Sequence, residues 1–529
     1  MPRTESSPRS APGQTSSPVS RGIDRFIPAF LIIAIFATYC PLLTSEFTTY
    51  DDNQTIVTNP WLNPPKWESL SEFWNPRKPV MDIYIPLTYS AWAGVAALSY
   101  VPVPDPTTGA YLNPWIFHGA NVLVHCIAAL LAFAILRRMT KSPWASAVGA
   151  ALFALHPVQV EPVAWISGMK DVLAGCLGLL AIWQYIAFAD SAKSQGPSQR
   201  RWFHYGLAIL AFACAMLAKP SAVVVPLLAG AIEIGLLKRT WRLMMISLAP
   251  WLVLTVPIIL EGHFAQPAVQ LGYITPIHLR PLIALDALAY YLYKLALPIW
   301  HSIVYDRTPQ SVIRHGWLYF TWIAPIAVAL CAWLYRKRFP AFIAGIAIFW
   351  LAVLPVLGLV PFDFQDHSTV ADHYLYLAML GPAIIAAFAL ARAIGRAVIG
   401  TCMIAIIVMA TWSFIQTLPW HDSMSLYRHA LTVNPHGWVP RNNLAVLEDN
   451  AGHHALALQL LQQAQQDVPP SIGDRAAQFE SLGDVYAHMG QYQQALSEYE
   501  QIETISPGNP VIGRKILEMR ARIGAPPRR

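Results

Sequence analysis

The 529 residues are 55% hydrophobic and only 12% charged, with a formal net charge of +6 at pH 7. A soluble globular chain carries about 25% charged residues, so water is not the main solvent here. The basic residues sit in short clusters between apolar segments, a pattern that excludes a nucleic-acid-binding face and marks cytoplasmic loops instead.

A polar Ser/Pro/Arg tail over residues 1–25 is expected to be cytoplasmic and disordered. The apolar segment after it, 26–45, is too long for a cleaved signal peptide and reads as a permanent signal anchor. Apolar stretches of about 20 residues then recur to Gln416, each long enough to cross a bilayer core. The basic clusters are Arg21 with Arg25, 137–141, 193–201, 238–242, 336–338 and 392–396. Placing them all in the cytoplasm gives about eleven crossings. They are 26–45, 116–138, 144–160, 166–189, 202–218, 221–237, 242–260, 316–335, 340–361, 370–391 and 397–416. Two further apolar segments, 84–100 and 282–300, would turn the later clusters outward if they spanned. Both are therefore predicted to be interfacial or re-entrant helices. Asn121 and His125 share a face of the second span at i, i+4 spacing, which predicts interhelical hydrogen bonds. All six cysteines lie in apolar segments without metal-ligand spacing and read as packing residues.

After Leu418 charged and amide residues return, with a period of roughly 34 residues. Leu482, Gly483, Tyr486, Gly490, Tyr492, Ala495, Tyr499 and Pro507 follow the tetratricopeptide spacing. Leu444, Ala445, Gly452, Ala457, Leu461, Ala464 and Pro469 give a second copy, with Glu448 where an aromatic is usual. Trp420, Tyr427, Ala430 and Pro435 give part of a first. The predicted fold class is thus all-α: a polytopic membrane domain over 26–416 and a small helical-repeat domain over 417–529, the latter outside the cytoplasm. Such a short array serves as a cap or scaffold, or as a peptide-binding surface.

Ionisable groups at membrane-helix ends are costly and therefore informative. One side gathers Asp51 and Asp52, then His156, Glu161, Lys170 and Asp171, then Lys219, and then Asp363, Asp366, Asp372 and His373. Carboxylates with cations there suit a reaction in which a base activates a hydroxyl and an anionic leaving group is stabilised. Plainer readings stand beside this one. The two adjacent acids also fit a hydrated helix exit, His156 before Pro157 a helix stop, and Lys219 an interface marker.

The segments HPVQVEPVAWISGMKDVL, AKPSAVVVP, FHGANVLVH and ADHYLYL, with the early YDD and the C-terminal repeats, resemble bacterial relatives of the transmembrane and tetratricopeptide-repeat O-mannosyltransferases. The resemblance implies the C-superfamily of glycosyltransferases (GT-C), which take a sugar from a polyprenyl phosphate at the outer or lumenal face. It implies no nucleotide sugar, and no metal or other cofactor is expected. It assigns the superfamily's first-loop acid to Asp51 or Asp52 and its fourth-helix acid to Asp171. Relatives commonly carry arginine where this chain has Ile85, Met169 and His373, which leaves Lys170 and Lys219 as the matching cations. The resulting expectation is a hexosyltransferase of a bacterial inner membrane, its repeats periplasmic. Asp52, or else Asp51, takes the proton of an acceptor hydroxyl while Lys170 and Lys219 meet the departing phosphate. Asp171, His156 and Glu161 orient sugar or acceptor, Asp372 and His373 also bind substrate, His373 adding charge only when protonated, and residues 282–300 with Lys294 cover the lipid tail. Expected partners are membrane lipid, the lipid-linked sugar and a protein acceptor. The alternatives are a non-catalytic scaffold recruiting envelope partners and a transferase acting on a lipid-linked glycan.

Overall fold

The computed structural model describes residues 25–77, 80, 83–191, 198–265, 272–393, 395–468 and 471–524. All of the expected tail but Arg25 lies outside these residues, as do Lys193 and Pro469. Among the described residues the chain is helical throughout, and the only strand-like feature is an isolated bridge between Tyr100 and Leu112.

The sequence punctuates the helices in a way that physical chemistry explains. Proline lacks an amide hydrogen and has a fixed φ, so it suits the first turn; Pro86, Pro114, Pro143 and Pro340 each open a helix. Pro114–Thr140 is also capped by the Asn113 side chain, which accepts from the Trp115 amide. It closes on Lys141 in the left-handed region, with Arg137 and Arg138 in its last turn. Cations at a helix C-terminus complement its dipole, so this basic cluster also helps to end its helix.

The protein is a multi-pass membrane protein. Eight described helices are long and apolar enough to cross a bilayer, from Ile27–Thr44 through Arg396–His421. The other three expected crossings take different forms. Residues Pro143–Leu155 and Pro157–Ala164 make one apolar pair bent by 52°, with His156 and Pro157 at the break. Pro340–Val356 and Leu380–Leu390 are shorter apolar helices. The expected crossing at 370–391 becomes an α-helix only from Leu380, because Asp372–Leu375 forms a 3-10 turn. That turn is buried in protein, where irregular backbone is tolerated at membrane depth. The segments predicted as interfacial are the helices Pro86–Ser99 and Arg280–Ala296, neither of which is among the spans.

The membrane core is built on small residues. Gly345 and Gly381 face each other so closely that a Cβ on either would meet the other's backbone carbonyl. Such close approach is what holds helices together where lipid offers no hydrophobic drive. Asn121 donates to the carbonyls of Val163 and Trp165 at 3.2 and 2.8 Å, and His125 meets the Tyr376 hydroxyl and the Ala154 carbonyl at 3.0 and 2.9 Å. These are the bonds their spacing predicts. None of the six cysteines is in a disulfide, and Cys126 and Cys176 are buried.

Beyond the last span come the helices Ser423–Val433, Trp438–Asn450, His454–Ala464, Ile472–His488, Tyr492–Ile505 and Pro510–Arg522. Gly452, Gly490 and Gly508 lie in turns between them at φ of 84°, 75° and 85°. Gly483 has no room for a Cβ because the Tyr499 ring lies against it. Glu448, the departure from the usual aromatic, is paired with Arg428 at 2.9 Å and His453 at 2.8 Å. This helical segment is docked on the loops of the membrane part. The Thr49 amide donates to Ser423 Oγ at 2.8 Å, Thr49 Oγ1 lies 3.1 Å from the Tyr427 hydroxyl, and Asn434 donates to Asp306 at 2.5 Å.

Candidate functional site

The two adjacent acids of the first loop have different surroundings. Asp52 is fully buried. Its Oδ1 accepts from Ser167 N at 2.9 Å and Ser167 Oγ at 2.7 Å, and its Oδ2 from Thr48 N at 3.1 Å and Thr48 Oγ1 at 2.9 Å. Burial pushes this carboxyl up, and the Ser167 and Thr48 bonds pull it back. With four donors on two oxygens, Asp52 fastens the first loop to the turn before Met169–Ser191 and has no lone pair facing open space.

Asp51 lines a cavity of about 560 Å³. Among the described residues its carboxylate accepts no hydrogen bond, while its backbone carbonyl accepts from Gln54 and Thr55. Burial raises its carboxyl above the ordinary value, opposed by the charges of Lys170, His373 and His367. Lys170, Lys219 and His373 line the same cavity. So does Ile85, one of the three positions where the resemblance implies arginine in relatives.

Each cation is held in place. Lys170 lies 4.4 Å from the centroid of the Trp165 ring, and Lys219 is 5.5 Å from that of Tyr374. Lys219 is ion-paired with Asp171, which sits in the first turn of Met169–Ser191, where the helix dipole favours a carboxylate. Burial lowers the Lys219 ammonium's proton affinity and Asp171 restores part of it. His373 Nδ1 is 2.6 Å from Glu161 Oε1, and Glu161 Oε2 accepts from the Asp372 amide at 3.1 Å. Asp171 thus stands behind the cavity as the counter-charge of Lys219, and Glu161 fixes the His373 ring. Trp165 is flanked by Tyr50 and His373 at 5.3 and 5.5 Å between ring centroids, giving the cavity an aromatic wall.

Two other expected site residues lie elsewhere. His156 is buried, with Nε2 3.3 Å from the Leu295 carbonyl, and its Nδ1 accepts from the Val158 amide across the helix break. Asp372 Oδ2 meets His301 Nδ1 at 2.5 Å and the Tyr305 hydroxyl at 2.8 Å. Asp372, Glu161 and His301 line a separate small cavity of about 20 Å³. Lys294, assigned to lipid-tail cover, is buried and donates to the carbonyls of Ile299 and Trp300 at 2.8 Å each.

Sequence reasoning missed several lining residues. His367 and Asp474 line the large cavity, 3.6 Å apart, and so do Trp438 and Asn443 of the C-terminal helices. His367 stacks on Trp438 with ring planes 3° apart. Nothing in the local sequence joins residues so distant, although QDHS beside two site acids was a usable hint. His301 lay at the end of an apolar run and carried no charge signal of its own.

No family model matches the chain. Protein O-mannosyl-transferase Tmtc2 of Drosophila melanogaster is 30% identical over 201 residues, 37% of this chain and 20% of that protein. Protein O-mannosyl-transferase TMTC1 of Mus musculus is 33% identical over 204 residues, 37% of this chain and 21% of that protein. A longer match, 447 residues at 20% identity, joins 75% of this chain to 46% of protein O-mannosyl-transferase TMTC3 of Mus musculus. The chain is thus similar to the TMTC proteins over these segments. It spans about a fifth of the length of the first two and just under half of TMTC3.

Proposed function

We propose that the protein is a membrane glycosyltransferase that moves a mannose-like hexose from a polyprenyl phosphate to a hydroxyl of an extracytoplasmic protein. The observation that carries the reading is the cavity in which the unbonded carboxylate of Asp51 shares one space with Lys170, Lys219 and His373. The names of the TMTC relatives support the reaction class.

Asp51 rather than Asp52 is the base in this reading, because a base needs a lone pair within reach of the proton it takes. The acceptor oxygen attacks the sugar C1 as its proton passes to Asp51. The bond between C1 and the phosphate oxygen breaks, and the electron pair leaves with the polyprenyl phosphate. Charge therefore develops on that phosphate, where Lys219 and Lys170 stabilise it.

The side of the membrane follows from charge. Asn121 lies near the start of Pro114–Thr140 and bonds to Trp165 at the cavity wall, while Arg138 near its end pairs with Asp190 at 2.7 Å. The helix is about 40 Å long at 1.5 Å per residue, so the basic loops and the cavity sit at opposite ends of the span. Basic loops face the cytoplasm, which supports a cavity on the outer side. The test is transfer from a defined polyprenyl-phosphate mannose to envelope or secretory-pathway peptides by the purified protein. Product glycopeptide with equimolar release of polyprenyl phosphate is expected. Failure with that donor alongside success with a nucleotide sugar would overturn the proposed donor.

A further inference from the structure

A second cluster of ligating side chains lies among the C-terminal helices. Asp449 is in the last turn of Trp438–Asn450, His454 opens His454–Ala464, and His488 closes Ile472–His488. Asp449 Oδ1 is 2.6 Å from His454 Nδ1, and Asp449 Oδ2 is 2.7 Å from His488 Nδ1. One ligand atom from each residue falls within 4.8 Å of the other two, and the two imidazole centroids are 5.6 Å apart.

We infer that Asp449, His454 and His488 form a binding site for a divalent transition-metal ion of the zinc class. Two imidazole nitrogens and one carboxylate oxygen are a donor set such ions take, with a fourth position left to solvent.

The electrostatics of the cluster call for a cation. Glu448 and Asp449 are both buried acids in the last turn of one helix, the end where the helix dipole disfavours negative charge. Glu448 is answered by the fixed charge of Arg428 at 2.9 Å. Asp449 has no arginine or lysine partner among the described residues; its ion-pair partners there are His454 and His488. A bound ion would supply a fixed positive charge there. It would take the place of the Nδ1 protons, which go to solvent or to Nε2 as the nitrogen lone pairs turn to the metal. Both histidines are part-exposed, at 34% and 53% of their side chains, so an entry path exists.

The site joins two successive helix pairs. The helices that end at it reach the large cavity nearer their other ends, through Trp438 and Asn443 on one and Asp474 on the other. An ion would therefore brace a wall of that cavity while taking no part in its chemistry.

The experiment is titration of the tag-free, full-length protein in detergent with Co(II) followed by visible absorption, and with Zn(II) followed by calorimetry and thermal melting. One ion per chain is expected, with Zn(II) raising the melting temperature. His488→Ala removes a half-exposed ring, so its metal-free melting should stay near that of the wild type while affinity falls at least about tenfold. His453→Ala, which touches Glu448 rather than Asp449, should bind as the wild type does. Equal affinity in wild type and His488→Ala, or no stoichiometric binding by the wild type, would overturn the inference.

Discussion

Asp51 and Asp52 are neighbours in sequence, yet Thr48 and Ser167 occupy both oxygens of Asp52 while Asp51 keeps its carboxylate for the cavity. In Asp52→Asn an amide N–H₂ must face either the Thr48 or the Ser167 backbone N–H. Such a mismatch costs about 1–3 kcal/mol, so a lower melting temperature with a modest loss of rate is expected in thermal melts and transfer assays. Asp51 must be ionised to act, and burial raises its carboxyl. The acid limb of the rate profile should therefore lie above the ordinary aspartate range of about 4, with rate lost as pH falls through it. Lys219 needs a paired design. Lys219→Ala alone leaves Asp171 buried without its partner, a loss of about 3–5 kcal/mol. The double variant Lys219→Met with Asp171→Asn should recover the melting temperature but not the transfer rate. The sequence showed these charges and their shared side of the membrane. It did not show which was bonded to which, because adjacency fixes neither rotamers nor partners one to two hundred residues away.

At the scale of elements, the apolar segments were legible because hydrophobic length and loop charge are local properties. The bent pair at His156 and the late start of the Leu380–Leu390 helix were not, since both depend on buried turns packed against other segments. Gly345→Leu should separate Pro340–Val353 from Leu380–Leu390 and destabilise the membrane part by about 1–3 kcal/mol, read as a lower melting temperature in detergent. The docking of the C-terminal helices has its own pH signature. Burial pushes the Asp306 carboxyl up to about 6, against the pull of its Asn434 bond. The group binds its proton more tightly in the docked state than when unfolded. Its contribution is therefore full below the ordinary value of 3.8 and is lost as pH rises through about 6. Thermal stability should fall across that window, and Asp306→Asn should flatten the dependence.

In the whole molecule, the C-terminal helices and the membrane part make one cavity between them, because Trp438, Asn443 and Asp474 face Asp51 and Lys219 across it. The same helices hold Thr49, two residues from Asp51. Removing residues 436–529 should leave an inserted membrane part with reduced transfer to protein acceptors, measured by glycopeptide mass spectrometry. Unchanged modification of every acceptor would show that these helices neither shape the cavity nor select substrate. The central claim is that the unbonded first-loop carboxylate is the base, and its most direct test is the transfer rate of purified, folded Asp51→Asn from polyprenyl-phosphate mannose. The account predicts a fall of about 10²- to 10⁴-fold, with melting temperature unchanged and the acid limb abolished. A wild-type rate in Asp51→Asn would contradict it.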